Sequence, residues 1–184
     1  MALCQARHNC RHFNSVEVDS TFYRTPAEAT VHAWASKTPN GFVFAAKVPQ
    51  VIPREKVLVN CDAEFKHFVE VMDLLGDKRG PLLFQFGYFN KKVFLGVNDF
   101  LARLRPFLKK LPKDHKFVVE TRNKNWLVPQ FVETLRERGV AFALVDQSWM
   151  FRPAQWFEKF DPITADFTYV HWLGVCTRGL DRDN

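Results

Sequence analysis

Cysteine is scarce in this chain of 184 residues, and no two cysteines form a C-x-x-C pair. The spacing of Cys4, Cys10, Cys61 and Cys176 does not suggest zinc, and a reduced chain is expected rather than a disulfide scaffold. No apolar stretch approaches the ~20 residues that cross a bilayer, and the N-terminus lacks the apolar core of a signal peptide. The expectation is a cytoplasmic protein with no membrane partner. There is no G-x-S-x-G, no H-E-x-x-H and no P-loop, so no familiar catalytic or phosphate motif identifies the chemistry. Low-complexity segments, fixed-period repeats and linkers are also missing, so residues 1–184 read as a single domain.

Aromatic residues, by contrast, are abundant: nineteen phenylalanines and five tryptophans. With 47% hydrophobic and 25% charged residues, the chain can bury a substantial core. The net charge is +6, which favours anionic partners: nucleic acid or an anionic small molecule such as a phosphorylated metabolite. Arg103, Arg105, Lys109, Lys110 and Lys113 form the densest basic cluster, at the spacing of one solvated helix face.

Short apolar runs alternate with longer helical patterns, the signature of an α/β fold with a parallel sheet. The strands read are 15–19, 42–47, 82–86, 117–121, 141–146 and 168–172. Thr25-Pro26-Ala27-Glu28 reads as a capping box, followed by Val31, Trp34 and Ala35 facing the sheet. Asp62 and Asn98 read as caps of the next two helices. Pro106 predicts a kink or break in the second of these, and Pro129 opens another helix that Gly139 ends. A further helix is expected before Arg11. Six strands fall short of the eight of a closed TIM-type barrel, typically ~250 residues. The chain therefore reads as the middle of a (β/α) barrel, about six of eight units, lacking the first strand and the last unit. A smaller open doubly wound sheet is the alternative.

Side chains alternate faces along a strand. In the first strand Val16 and Val18 take one face, leaving Glu17 and Asp19 to point inward. By the same parity, Lys47 follows Val43 and Ala45, and Gln85 follows Leu83. Glu120 and Arg122 follow Val118, Asp146 follows Phe142 and Leu144, and His171 follows Phe167 and Tyr169. Each polar residue after the first strand stands at a C-terminal strand end, where a packed barrel keeps its functional mouth. Burying so many charges is costly unless they pair or meet solvent, so ion pairs bracing the mouth are the competing reading. Trp126, Trp149 and Trp172 are candidates for the pocket wall or for core. The segment 174–179, with Thr177 and Arg178, is a weaker candidate for a phosphate cradle. His8 and His12 stand one helical turn apart, a spacing that suits either a metal or an exposed face.

At these residues the sequence resembles the family called domain of unknown function 72. The matching blocks begin with Phe13-Asn14-Ser15-Val16-Glu17-Val18-Asp19-Ser20-Thr21-Phe22-Tyr23 and continue through Gly41-Phe42-Val43-Phe44-Ala45-Ala46-Lys47-Val48-Pro49. They go on with Gly80-Pro81-Leu82-Leu83-Phe84-Gln85-Phe86, Val119-Glu120-Thr121-Arg122-Asn123-Lys124-Asn125-Trp126 and Phe167-Thr168-Tyr169-Val170-His171-Trp172-Leu173-Gly174. The family's opening G-T-S-G-W-type strand and last barrel unit are absent, and His171 stands where its late strand normally carries arginine. The resemblance implies a (β/α)₈ barrel and carries over Glu17, Asp19, Lys47, Gln85, Glu120 and Arg122. The family's likeness to endonuclease-IV-type barrels implies, by fold analogy, binding of phosphodiesters or nucleic acid.

The expected function is a hydrolase or lyase acting on a phosphorylated or nucleic-acid-like anion. Glu17, Glu120 and Asp146 are its catalytic candidates. Lys47 and Arg122 would neutralise the substrate, and Asp19, Gln85, His171, Trp126 and Trp172 would complete its binding. If Asp19, Asp146 and His171 converge, they are candidate ligands for a divalent metal. The alternatives are a non-catalytic nucleic-acid-binding module and a sugar- or metabolite-processing barrel.

Overall fold

A computed structural model describes residues 13–146, 150 and 152–172. The helix expected before Arg11, His8, His12, Trp149 and the segment 174–179 lie outside the described residues.

Six strands form one parallel sheet in the order of the sequence. They are β1 (Ser15–Val18), β2 (Val43–Lys47), β3 (Arg79–Gln85), β4 (Phe117–Glu120), β5 (Ala141–Asp146) and β6 (Tyr169–Trp172). Among the described residues five α-helices lie between them: α1 (Glu28–Lys37), α2 (Asp62–Asp73), α3 (Val97–Leu108), α4 (Pro129–Arg136) and the short α5 (Pro153–Phe157). All six strands expected from the sequence are present, within a few residues at their ends. The sheet is the half-barrel kind: its neighbours pair from β1 to β6, and β6 forms no ladder with β1 among the described residues.

Several local expectations need correction. α1 begins at Glu28 with Ala27 as its cap and no side-chain capping bond, so the Thr25 capping box does not form. Asp62 is the first residue of α2 rather than its cap, and its carboxylate takes Lys110 at 2.8 Å. α3 starts at Val97, one residue before the proposed cap Asn98. Pro106 does not break α3, which runs on to Leu108; in the last turn its missing N–H removes little of the ladder. Pro129 does open α4, and Gly139, at φ +60°, takes the left-handed position that follows it. A π-helical turn at Val51–Glu55 and α5 were not foreseen.

Two apolar layers flank the sheet. The convex face carries bulky residues, Phe44, Phe84, Phe142 and Leu144, which pack against the helices in the main core. The concave face holds a small cluster of Leu83, Val118, Ala141, Ala143 and Val145. At the base of the sheet Gly80 sits where β2 shifts register: a Cβ there would stand 2.5 Å from Val43 Cγ1 and 2.8 Å from the Phe44 carbonyl oxygen. Only glycine allows that approach.

Candidate functional site

Parity and register deliver the polar residues to one end of the concave face. Gln85 and Glu120 are register partners in β3 and β4, so the Gln85 amide reaches Glu120 Oε1 at 3.1 Å. Glu120 is 0% exposed, yet it meets two cations: Arg122 Nη2 at 2.8 Å and His171 Nδ1 at 2.8 Å. Burial pushes its pKa up, but the bond from His171 and the charge of Arg122 outweigh this and hold it below the usual carboxylate value. Glu120 is therefore ionised, and only a protonated Nδ1 of His171 can donate to it. That bond raises the imidazole pKa despite partial burial. The other ring nitrogen, Nε2, lies 3.9 Å from Glu17 Oε1.

A second group continues the network on β1 and β2. Lys47 meets Glu17 at 3.1 Å and Asp19 at 2.5 Å. Burial lowers its pKa, but the bond to Asp19 and the charge of Glu17 more than reverse the effect. Its ammonium is already engaged by two carboxylates. The Tyr169 hydroxyl donates to Glu17 across the inside of the sheet. Burial and the Glu17 charge push that phenol far above its ordinary pKa, which keeps it a donor. β1 and β6, the two edges of the sheet, thus meet through side chains.

The structure therefore brings together Glu17, Asp19, Lys47, Gln85, Glu120, Arg122 and His171. Three other candidates are placed elsewhere. Asp146 shares parity with Phe142 and Leu144, which belong to the helix-facing core, whereas Val145 faces inward beside His171. It makes no hydrogen bond or ion pair with a described residue, so the Asp19–Asp146–His171 metal set does not form; no metal-binding cluster occurs among the described residues. The error came from taking bulky residues as the inward set in a strand that is apolar on both faces. Trp126 is 2% exposed and stacks on Phe100 at 4.6 Å, within the core beneath α3 rather than in the pocket wall. Trp172 is 70% exposed and has the same parity as Asp146.

Above Glu120 lies a cleft of about 1240 Å³ lined by Arg54, Gly87, Tyr88, Arg122, Lys124, Asn125, Leu127 and Lys159. Four of these are cations, and no carboxylate is among the described lining residues. Sequence reasoning missed Arg54. It projects from the π-helical turn after β2, lies over the Phe22 ring at 4.6 Å, and reaches the Gln85 side-chain oxygen at 3.4 Å. Burial and the neighbouring Arg122 lower its pKa, as expected where two guanidiniums share one site. The segment just beyond this turn places Val57, Leu58 and Asn60 at positive φ, a strained backbone of the kind that collects at functional sites. The available signal was position: Arg54 lies in the loop following a strand's C-terminal end.

Comparison with known proteins follows the same residues. The family model described as "Protein of unknown function DUF72" matches residues 5–182. The UPF0759 protein YecE of Escherichia coli K12 is 29% identical over 130 residues, which cover 71% of this chain and 46% of YecE. The chain thus spans about half the length of that curated relative. A DUF72 family crystal structure from Enterococcus faecalis V583 matches with TM-score 0.58 and 25% identity, covering 78% of this chain and 59% of that one. One from Thermotoga maritima MSB8 shares the fold with TM-score 0.55 and 23% identity, covering 90% of this chain and 62% of that one.

Proposed function

The chain belongs to the DUF72 family, and from that premise we propose that it is a hydrolase or lyase taking a phosphate-bearing anion into the mouth of a TIM-type (β/α) barrel, of which these six strands are part. One observation carries the reading: Arg122, which lines the four-cation cleft, pairs with the buried Glu120 that His171 also meets. The bulky-outside, small-inside sheet and its sequential strand order support the barrel.

In this reading Arg54, Arg122, Lys124 and Lys159 neutralise the substrate, since charge-assisted hydrogen bonds are roughly twice as strong as neutral ones. His171 is the acid. Its Nδ1–H is fixed on Glu120, which leaves Nε2 to give a proton to a leaving oxygen and Glu17 to accept one nearby. Glu120 has no exposed surface and cannot touch substrate; it is a positioning residue that holds the imidazole's orientation and charge. Lys47 holds Glu17 and Asp19 in place.

The test is calorimetric titration of inorganic phosphate into wild type, Arg54→Met and Arg122→Met at two salt concentrations, with the thermal midpoint of each. Losing one hydrogen bond to a charged group costs ~1.5–3 kcal/mol, so each variant should bind about 10- to 100-fold more weakly. Arg122→Met should melt only a few degrees lower, because Glu120 keeps Gln85 and His171. A large fall in midpoint with unchanged phosphate affinity would reduce these arginines to braces.

A further inference from the structure

Tyr88 is out of keeping with its neighbours. Phe86 is fully buried and Phe89 packs on the core, yet Tyr88 between them is 72% exposed. Its hydroxyl makes no hydrogen bond with a described residue. The ring stands in the wall of the cationic cleft, whose lining also includes Leu127 and Asn125. The loop that carries it is fastened. The Asn123 side chain accepts from the Phe89 N–H at 2.9 Å and donates to the Phe89 carbonyl at 2.7 Å, and Asn123 is 3% exposed. A bare aromatic ring is thus presented on a fixed backbone beside four cations.

We propose that the ligand of this cleft is a nucleotide: its phosphate is held by Arg54, Arg122 and Lys124, and its base stacks on Tyr88. This rests on the reading of the cleft as a phosphate site. Three features favour it over a bare phosphate or a sugar phosphate. A cleft of about 1240 Å³ far exceeds what one phosphate fills, since clefts of ~300–1,000 Å³ hold whole drug-sized ligands. Every nucleobase has a π-face that stacks on an aromatic ring, whereas ribose has no π-face and offers only C–H contacts. The Asn125 amide carries both a donor and acceptors, which suits the polar edge of a base. The same chemistry belongs to a free nucleotide and to a residue in a single strand of nucleic acid.

The experiment measures dissociation constants of inorganic phosphate, ribose 5-phosphate, AMP and a short single-stranded oligonucleotide for wild type, Tyr88→Phe and Tyr88→Ser. Base stacking gives about a fivefold advantage or more, so AMP should bind at least that much tighter than ribose 5-phosphate. Tyr88→Phe should keep the advantage. Tyr88→Ser should abolish it while leaving ribose 5-phosphate affinity unchanged. Tyr88 is a surface ring, and unchanged ribose 5-phosphate binding certifies that the variant is folded. Tighter binding of the oligonucleotide than of AMP, with a steeper salt dependence, identifies the strand as the source; equal binding identifies the free nucleotide. Equal affinities of wild type for AMP and ribose 5-phosphate overturn the nucleotide inference and leave the phosphate site standing. No binding of any of the four probes overturns both.

Discussion

Replacing Glu120 by glutamine removes one charge from the centre of the site and leaves its shape almost unchanged. The carboxylate is 0% exposed and faces both Arg122 and His171 at 2.8 Å. Removing one partner of a buried ion pair costs about 3–5 kcal/mol, because the other charge is left uncompensated. The lower end applies here. The glutamine oxygen still accepts from Gln85 or Arg122, and His171, no longer held protonated, becomes neutral and accepts from the new amide. Arg122 then loses its ion pair with Glu120, and the penalty falls on that guanidinium. At ~2–4 °C per kcal/mol for a chain of this size, Glu120→Gln should lower the thermal midpoint by about 6–12 °C. The double variant Glu120→Gln/Arg122→Met should recover part of that loss, so the two changes should be non-additive by about 1 kcal/mol or more. Both follow from circular-dichroism melts at neutral pH. A single variant that melts with wild type, or a strictly additive pair, would show that the charge at Glu120 is not what organises the mouth.

Two further outcomes follow from other contacts. The folded His171 pKa is raised above 6.5, so the stability it contributes is complete below pH 6.5 and disappears as pH rises through the raised value; that of Glu120, lowered below 4.5, is complete above pH 4.5 and disappears as pH falls through the lowered value. The midpoint difference between wild type and His171→Gln should therefore be greatest between pH 4.5 and 6.5 and shrink as pH rises above 6.5 through the raised His171 value; a difference constant with pH would contradict the assignment. Gly80→Ala should destabilise by about 1–3 kcal/mol in a denaturant titration, because the new methyl meets the Phe44 backbone as well as a side chain. Wild-type stability in this variant would mean that β2 and β3 are less closely apposed than described.

The strands were readable because alternating apolar runs at βα spacing have one economical arrangement. In β1 to β4, a polar residue at one parity and core residues at the other fix which way each points; in β6, His171 shares its parity with Tyr169, which packs on the inner cluster. β5 defeated that reasoning. Ala141-Phe142-Ala143-Leu144-Val145 is apolar on both faces, and only the curl of the sheet sends the alanines inward and the phenylalanine outward. Asp146 was misplaced for that reason. Arg54 and Tyr88 lie in loops, where no period constrains direction, and their positions depend on contacts with Gln85, Phe22 and Asn123 that exist only in the folded chain. Trp126 could not be assigned from its place after β4, because a loop residue at a strand end can turn up toward the mouth or down under a helix.

The bond between Tyr169 and Glu17 joins residues 152 positions apart. Every backbone ladder in this sheet, by contrast, links strands adjacent in sequence. The sheet can grow by adding each strand to its predecessor, closing only short loops as it goes, and such local assembly is fast. The mouth cannot be assembled in that way. Glu17 waits for Tyr169, and Glu120 waits for His171, until the sixth strand has docked. During synthesis from the N-terminus, the carboxylates of β1 and β4 therefore exist for most of the chain's emergence without their β6 partners. β6 supplies both the phenol that meets Glu17 and the imidazole that meets Glu120, so only a chain folded through β6 carries this polar cluster assembled.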